Sequence, residues 1–130
     1  MIVVDSSALL EVLLETQAAA LVSERIFAPG ETLHAPHLID LEVAHVLRRD
    51  ALFRALSPER GSLALEYLAE LRLTRHSHVS LLPRIWELRN NVTAYDAAYI
   101  ALAEALDAPL VTRDKALAAW RGHRAKVELL

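Results

Sequence analysis

Four acidic side chains, spread over most of the chain, have the type and the local setting to act together. Asp5 directly follows a short apolar run at the N-terminus, and Asp114 closely follows another such run. Glu42 lies in an apolar part of one predicted helix, and Asp96 lies in the first turn of a second, rich in alanine and leucine. Burying a charge beside apolar surface is costly unless a partner compensates it, so these positions suggest a common purpose.

Together, these four carboxylates could bind a divalent cation. Converging carboxylates repel one another, and one of them would be protonated unless a cation lay among them. The chain contains no cysteine, and hard oxygen ligands favour Mg²⁺ or Mn²⁺ over softer metals. A cation of this kind activates water and neutralises the charge that develops on a phosphodiester during its hydrolysis.

Each acid taken alone also has an ordinary structural explanation. Asp5 and Asp114 are each placed to cap the helix that follows. Thr93 and Asp96, three residues apart, resemble a capping box, and acids favour helix N-termini. Glu42 has the ordinary explanation of an exposed glutamate on a helix. Four such positions, with few basic residues in the same segments, favour a shared site over four separate explanations.

The elements that must position these acids alternate between strand and helix. Strands are predicted over residues 1–4, 32–35, 73–76, 110–112 and 127–130, and helices over residues 6–14, 17–27, 37–56, 57–71, 82–89, 91–107 and 115–120. This alternation predicts an α/β fold with a mostly parallel sheet and helices on both faces. Sites in such sheets lie at the carboxyl ends of the strands, where all four acids are expected to converge.

Finer predictions concern side-chain direction. The long helix over residues 37–56 is expected to pack through an apolar stripe that includes Leu38, Leu41, Ala44, Val46, Leu47 and Leu52. In the helix over residues 82–89, the inward side chains are expected to be Ile85, Trp86 and Leu88. His76 and His78 lack a third ligand at the usual spacing for zinc, which favours a polar loop there.

Composition is consistent with one domain located in the cytoplasm. Hydrophobic residues make up 54% of the chain, yet no apolar run approaches the roughly 20 residues of a membrane helix. The N-terminus reaches an acid at its fifth residue and lacks the basic region of a signal peptide. The net charge of −3 gives no argument for nucleic-acid binding, although arginine, which suits phosphate contact, outnumbers lysine twelve to two.

Four segments in order resemble a PIN-domain ribonuclease: MIVVDSSALL, the Glu42 helix after Pro36, NVTAYDAAYIALAEAL and LVTRD. The size of the chain is most similar to that of the VapC-type toxin of a bacterial toxin–antitoxin pair. The resemblance spans nearly the whole chain and implies a single PIN domain over residues 1–130. It implies a three-layer α/β/α sandwich with a mostly parallel five-stranded sheet, and an Mg²⁺- or Mn²⁺-dependent endoribonuclease that cleaves RNA by metal-activated water.

The resemblance also implies a role for each acid, all four being catalytic. Asp5, Glu42 and Asp96 match the family's metal ligands, and Asp114 matches its last acid, in a T-x-D context. Some relatives carry a further acid a few residues later, whereas residues 115–117 here are Lys, Ala and Leu. Direct contact of Asp114 with metal is therefore left open beside a water-mediated role.

Two neighbouring hydroxyls and several partners follow from the same resemblance. Ser6 corresponds to the family's small hydroxyl after the first acid, and Thr112 supplies another near the last. The implied partners are a VapB-type antitoxin whose tail crosses the acidic groove, a second toxin copy, a larger complex with antitoxin, and tRNA or rRNA cut in an unpaired segment. The alternative function is a catalytically inactive PIN-like scaffold. A receiver domain and a two-acid phosphatase are disfavoured, because Asp5 is followed by serines and not by the acid they require.

Overall fold

The five predicted strands form one sheet in which every neighbouring pair is parallel. A computed structural model describes all 130 residues. The strands are β1 (Ile2–Val4), β2 (Leu33–Pro36), β3 (Leu73–His76), β4 (Leu110–Thr112) and β5 (Val127–Leu129), in the spatial order β3-β2-β1-β4-β5. The predicted α/β fold with a five-stranded sheet is confirmed, and the sheet is wholly parallel.

The seven predicted helices are all present. They are α1 (Ser6–Leu13), α2 (Ala19–Ile26), α3 (Leu38–Leu52), α4 (Pro58–Glu70), α5 (Leu82–Glu87), α6 (Ala94–Leu106) and α7 (Lys115–Ala119). The largest error in the predicted bounds is at the end of α3, which stops at Leu52 and not near Leu56. Arg54 adopts a left-handed conformation with φ 57°, and this turns the chain out of the helix.

Short polar side chains cap four of the seven helices. Asp5 caps α1, Ser57 caps α4, Thr93 caps α6 and Asp114 caps α7. Each side chain accepts a hydrogen bond from a backbone N–H of the first turn, which would otherwise lack a partner. The carboxylates of Asp5 and Asp114 are thereby held at the carboxyl ends of β1 and β4, next to each other in the sheet.

The centre of the sheet and the middle of α6 form the core. Every residue of β1, β2 and β4 is buried, so helices cover these strands on both faces. Seven consecutive residues of α6, Ala97–Ala103, are also buried, and this helix packs directly against β1, β2 and β4. Four of the seven are alanines, whose small side chains allow the helix to lie close to the sheet. None of the helices has the length and apolar character needed to cross a membrane.

Two predictions of side-chain direction were wrong in part: Leu47, Ile85 and Leu88 are buried as expected, but other residues of the two predicted faces are not. The buried face of α3 consists of Ile39, Val43 and Leu47, at a spacing of four, while Leu41 of the predicted stripe is 75% exposed. Leu52 is exposed as well, because α3 carries apolar residues on two faces and only one of them meets the core. Trp86 is also exposed, with the Arg89 guanidinium 4.6 Å from its ring centre.

A buried carboxylate on α6 ties the segment before β5 to the helices. Glu104, whose side chain is 5% exposed, accepts hydrogen bonds from Arg84 Nε at 2.8 Å and Nη2 at 3.0 Å. It also accepts one from the backbone N–H of Arg124 at 2.8 Å. The bonds from Arg84 lower the pKa of Glu104 most strongly, so its ionised form stabilises the fold.

We expect Glu104→Gln to lower the free energy of unfolding by about 2 kcal/mol at pH 7, because the charged hydrogen bonds are lost. Since the pKa is lowered in the fold, this stabilisation is present above the ordinary glutamate pKa of about 4.3 and is lost as the pH falls through the folded value. Urea unfolding at pH 7 and pH 3 measures both effects. Glu87→Gln is the control, because Glu87 also pairs with Arg84 but is exposed. An equal loss in both variants would contradict the assignment.

Candidate active site

All four predicted acids are brought together at the carboxyl end of the sheet. Asp5 follows β1 and Asp114 follows β4, and the pKa of Asp5 is raised in part by the charge of Asp114. Charges of Asp96 and Asp5 raise the pKa of Glu42, and those of Asp114 and Asp5 raise the pKa of Asp96. Each carboxylate is therefore within electrostatic reach of at least two others.

Asp5 is the most deeply held of the four. Its residue is 5% exposed, and its Oδ1 accepts hydrogen bonds from Ser7 Oγ at 2.7 Å and from Ala8 N at 3.0 Å. Its Oδ2 accepts a short hydrogen bond from the hydroxyl of Thr112. Burial nevertheless raises the pKa of Asp5 more than these bonds lower it. The fold therefore keeps a carboxylate where its charge is disfavoured, which is typical of a functional site.

Two hydroxyls connect the end of β1 to the loop after β4. Thr112 Oγ1 accepts a hydrogen bond from Asp114 N at 2.9 Å and lies 3.2 Å from Ser7 Oγ. Ser7 Oγ in turn accepts one from Arg113 N at 2.9 Å. Of the two serines after Asp5, Ser7 contacts its carboxylate, whereas Ser6, which the resemblance matches to the family's small hydroxyl, lines the groove beside the acids. Residue 7 is turned toward β4 by the first turn of α1.

Glu42 is held by a residue that sequence reasoning missed. Tyr99 on α6 is 1% exposed, and its hydroxyl donates a short hydrogen bond to Glu42 Oε1. Burial raises the pKa of Glu42, the bond from Tyr99 opposes that rise, and Asp96 and Asp5 add to it. Tyr99 is three residues after Asp96 on one helix, and this spacing, which places two side chains on one face, was the available indication.

Asp96 lies at the N-terminus of α6, as predicted. Its backbone N–H donates to Thr93 Oγ1 at 3.2 Å, which starts the helix at this point. Burial raises the pKa of Asp96 most, followed by the charges of Asp114 and Asp5. The helix cap and the acid cluster are therefore not alternatives, because the cap places the carboxylate in the cluster.

The donor set fits a hard divalent cation. All four side chains offer carboxylate oxygens, and the pKa values of Asp5, Glu42 and Asp96 are raised, mainly by burial and further by the charges of the neighbouring acids, so their ionised forms would gain from a counter-ion. No three histidine, aspartate or glutamate side chains lie close enough in their present rotamers to hold an ion together. Mg²⁺ commonly retains several waters and contacts only one or two protein carboxylates, so the cluster does not need three direct ligands. Asp114 Oδ1 already caps α7, at 2.8 Å from Ala116 N, which suits contact through water.

An open groove runs beside the carboxylates, between α3 and the start of α6. Its lining residues are Ser6, Leu38, Leu41, Glu42, His45, Val46 and Tyr95. Tyr95 is 65% exposed, and Leu41 belongs to the second apolar face of α3. Glu42 is common to the groove and the acid cluster, so a molecule bound at the cluster can extend along the groove.

The histidine at the end of β3 pairs with a histidine of the neighbouring strand β2. His76 is the last residue of β3, and its Nε2 lies 2.9 Å from Nδ1 of His34. His34 Nε2 lies 2.9 Å from the hydroxyl of Thr32, so both ring nitrogens of this buried histidine have partners. A hydrogen-bonded histidine pair thus links β2 to β3, and the preference for a polar loop over a zinc site at His76 and His78 stays a prediction.

The comparisons with known proteins agree with this fold. Residues 2–122 match the family model of the PIN domain. The chain is 49% identical over 115 residues to VapC ribonuclease Mb0985 of Mycobacterium bovis, which covers 88% of this chain and 86% of that protein. It is 42% identical over 129 residues to ribonuclease VapC1 of Mycobacterium tuberculosis, covering 98% and 96%.

Two solved structures share the fold. PAE2754 from Pyrobaculum aerophilum aligns with a TM-score of 0.70 and 25% identity, over 96% of this chain and 81% of that chain. VapBC2 from Rickettsia felis, bound to a DNA fragment from its promoter, aligns with a TM-score of 0.73 over 99% and 98%. Its identity of 14% shows the fold alone.

Proposed function

Because this chain belongs to the PIN-domain family and, within it, to the VapC ribonucleases, we propose that its four clustered carboxylates are the active site of an RNA hydrolase. The chain is accordingly the ribonuclease toxin of a toxin–antitoxin pair, as its resemblance to that family implied. The observation that supports the assignment of the site is the meeting of four carboxylates from separate parts of the chain at the carboxyl end of the sheet, where burial and the charges of neighbouring acids raise the pKa values of Asp5, Glu42 and Asp96. Retention of all four acids argues against an inactive scaffold.

The contacts of each side chain suggest its role in the reaction. Asp5, Glu42 and Asp96 would hold Mg²⁺ or Mn²⁺, which when bound supplies an activated water and neutralises charge on the phosphate. Asp114 would position a water, because one of its oxygens already caps α7. Thr112 orients the carboxylate of Asp5 through a hydrogen bond and so keeps it directed at the site. Cleavage is proposed to leave a 5′-phosphate and a 3′-hydroxyl.

The groove beside the carboxylates supports an unpaired RNA segment as the substrate. Tyr95 offers an exposed ring, and Leu38 and His45 line the same groove. Unpaired bases stack on aromatic side chains, whereas paired bases cannot be separated without cost. A single-stranded loop of tRNA or rRNA therefore fits this site, and arginine, which outnumbers lysine twelve to two, suits phosphate contact despite the net charge of −3.

A protein partner of the antitoxin type is proposed from the same surface. VapBC2, whose structure shares this fold, is described together with DNA from its promoter. An antitoxin tail that presents an arginine would complement the clustered carboxylates and cover the groove. Exposed apolar side chains elsewhere, among them Leu52, Phe53 and Trp86, support a homodimer and a larger complex with antitoxin. The toxin would act in the cytoplasm, on cellular RNA.

The direct test is cleavage of RNA by the purified chain with and without divalent cation. We expect cleavage of unpaired oligonucleotides in Mg²⁺ or Mn²⁺, a fall of about 10³-fold or more in EDTA, and recovery when cation is restored. Polyacrylamide gels with end-labelled RNA measure the rate and the end groups. The same oligonucleotide annealed to its complement is the control, and it should be cleaved more slowly. Equal cleavage in EDTA would contradict the proposal.

A further inference from the structure

Tyr99 carries a hydroxyl that packing alone does not require. It is the only aromatic side chain among the 29 buried residues of the core, and its ring fills space against the sheet. A phenylalanine would fill the same space. The hydroxyl has one protein partner, Oε1 of Glu42, on the separate helix α3. A buried tyrosine needs a partner for its hydroxyl, and here that partner is an acid of the proposed active site.

The phenol also lies under the acid cluster as a whole. Charges of Glu42, Asp5 and Asp96 all reach the hydroxyl of Tyr99. Asp96 and Tyr99 are three residues apart on α6 and therefore project from one face of the helix. Helix α6 thus supplies both a carboxylate and a hydrogen-bond donor to the same place, while α3 supplies Glu42.

Glu42 needs such a donor because its own helix does not fix it. A glutamate has three rotatable side-chain bonds, and its carboxylate can turn either toward the acids or into the open groove that it also lines. The bond from Tyr99 selects one orientation and engages only Oε1. No protein hydrogen bond occupies Oε2 of Glu42, so that oxygen remains available to a ligand.

We infer that Tyr99 is a positioning residue that orients Glu42 toward the divalent cation by a hydrogen bond between helices α6 and α3. The inference rests on the proposed function, because it presupposes that Glu42 contacts the cation. Groups that orient metal ligands affect affinity strongly although they do not touch the metal, and their removal typically costs 10- to 100-fold.

Isothermal titration with Mn²⁺ tests the inference on the purified chain. We expect Tyr99→Phe to weaken Mn²⁺ binding by about tenfold, because Glu42 becomes free to turn away. The melting temperature in EDTA should change little, since the ring is retained. Tyr67→Phe on α4 is the matched control, as Tyr67 is partly exposed and its hydroxyl has no protein partner, and it should bind Mn²⁺ as the native chain does.

A double-mutant cycle separates positioning from a general loss of structure. With Glu42→Gln already present, adding Tyr99→Phe should change Mn²⁺ affinity by less than about twofold, because its target is gone. A tenfold loss in that background too, or native affinity in Tyr99→Phe alone, would overturn the inference while leaving the proposed function intact. If the native chain bound no Mn²⁺ and Asp96→Asn left RNA cleavage unchanged, both the inference and the proposed function would be wrong.

Discussion

Replacing Asp96 with asparagine is expected to lower RNA cleavage by about 10³-fold or more, and at the same time to make the cation-free protein more stable. Asparagine keeps the shape of the side chain but removes a charge that burial, Asp114 and Asp5 all disfavour. Since the pKa of Asp96 is raised in the fold, its ionised form opposes folding at neutral pH. We expect the melting temperature in EDTA to rise by about 2–4 °C.

The raised pKa of Asp96 also determines how the stability of the fold changes with pH. Between the ordinary aspartate pKa of about 3.9 and the raised folded value, the folded state binds more protons than the unfolded state. As the pH falls from 7 toward 4, protonation of Asp96 should therefore stabilise the native chain. Asp96→Asn should lack this contribution, so its stability should rise less over the same pH range. Melting curves at pH 7, 6 and 5 in EDTA measure this difference between the native chain and the variant.

Asp107→Asn is the matched control, at the opposite end of the same helix. Asp107 ends α6 in the left-handed conformation with φ 48°, which asparagine adopts at least as readily. Cleavage and its cation dependence should be unchanged. If Asp96→Asn retained native activity in saturating Mn²⁺, or if both variants lost activity equally, the role of Asp96 as a cation ligand would be wrong.

Thr112→Val should weaken both the stability of the fold and RNA cleavage. The Thr112 hydroxyl donates to Asp5 and accepts from Asp114 N, and the residue is fully buried. Valine has nearly the same shape, so the change removes two hydrogen bonds and leaves Oδ2 of the buried Asp5 and the backbone N–H of Asp114 without their protein partner. We expect the free energy of unfolding to fall by about 1–3 kcal/mol and the rate of RNA cleavage to fall by about 10- to 100-fold.

Thr74→Val tests whether the loss is specific to this hydroxyl. Thr74 also lies in a strand, β3, but its side chain is exposed and bonds to no acid. Urea unfolding and cleavage rates should match those of the native chain, because valine is well tolerated in strands. A Thr112→Val variant with native cleavage would show that Asp5 does not need the Thr112 hydroxyl to hold its orientation.

The positions of the acids could be predicted from sequence because each is tied to a local structural event. Asp5 and Asp114 follow short buried strands and cap the next helices, and Asp96 falls in a first turn opened by Thr93. In a parallel sheet these events occur at one edge, so convergence follows from topology. Helix capping and a role in the site are therefore compatible, because the caps hold the carboxylates at this edge of the sheet.

Side-chain direction could not be predicted in the same way. Helix α3 has apolar residues on two faces, and periodicity does not say which of them meets the core, so Leu41 and Leu52 were assigned inward although they are exposed. The bond between Tyr99 and Glu42 joins residues 57 positions apart, and no local pattern encodes such a contact. The choice between Ser6 and Ser7 depends on the angle at which α1 leaves β1.

The central claim is that carboxylates from distant parts of the chain share one divalent cation. Anomalous diffraction from a crystal of the native chain soaked in Mn²⁺, recorded near the manganese absorption edge, tests it most directly. We expect a single region of anomalous density bounded by Asp5, Glu42 and Asp96, with Asp114 at its rim, and no such density in crystals of Asp96→Asn. Density only at other places on the molecule, or identical density in the variant, would contradict the claim.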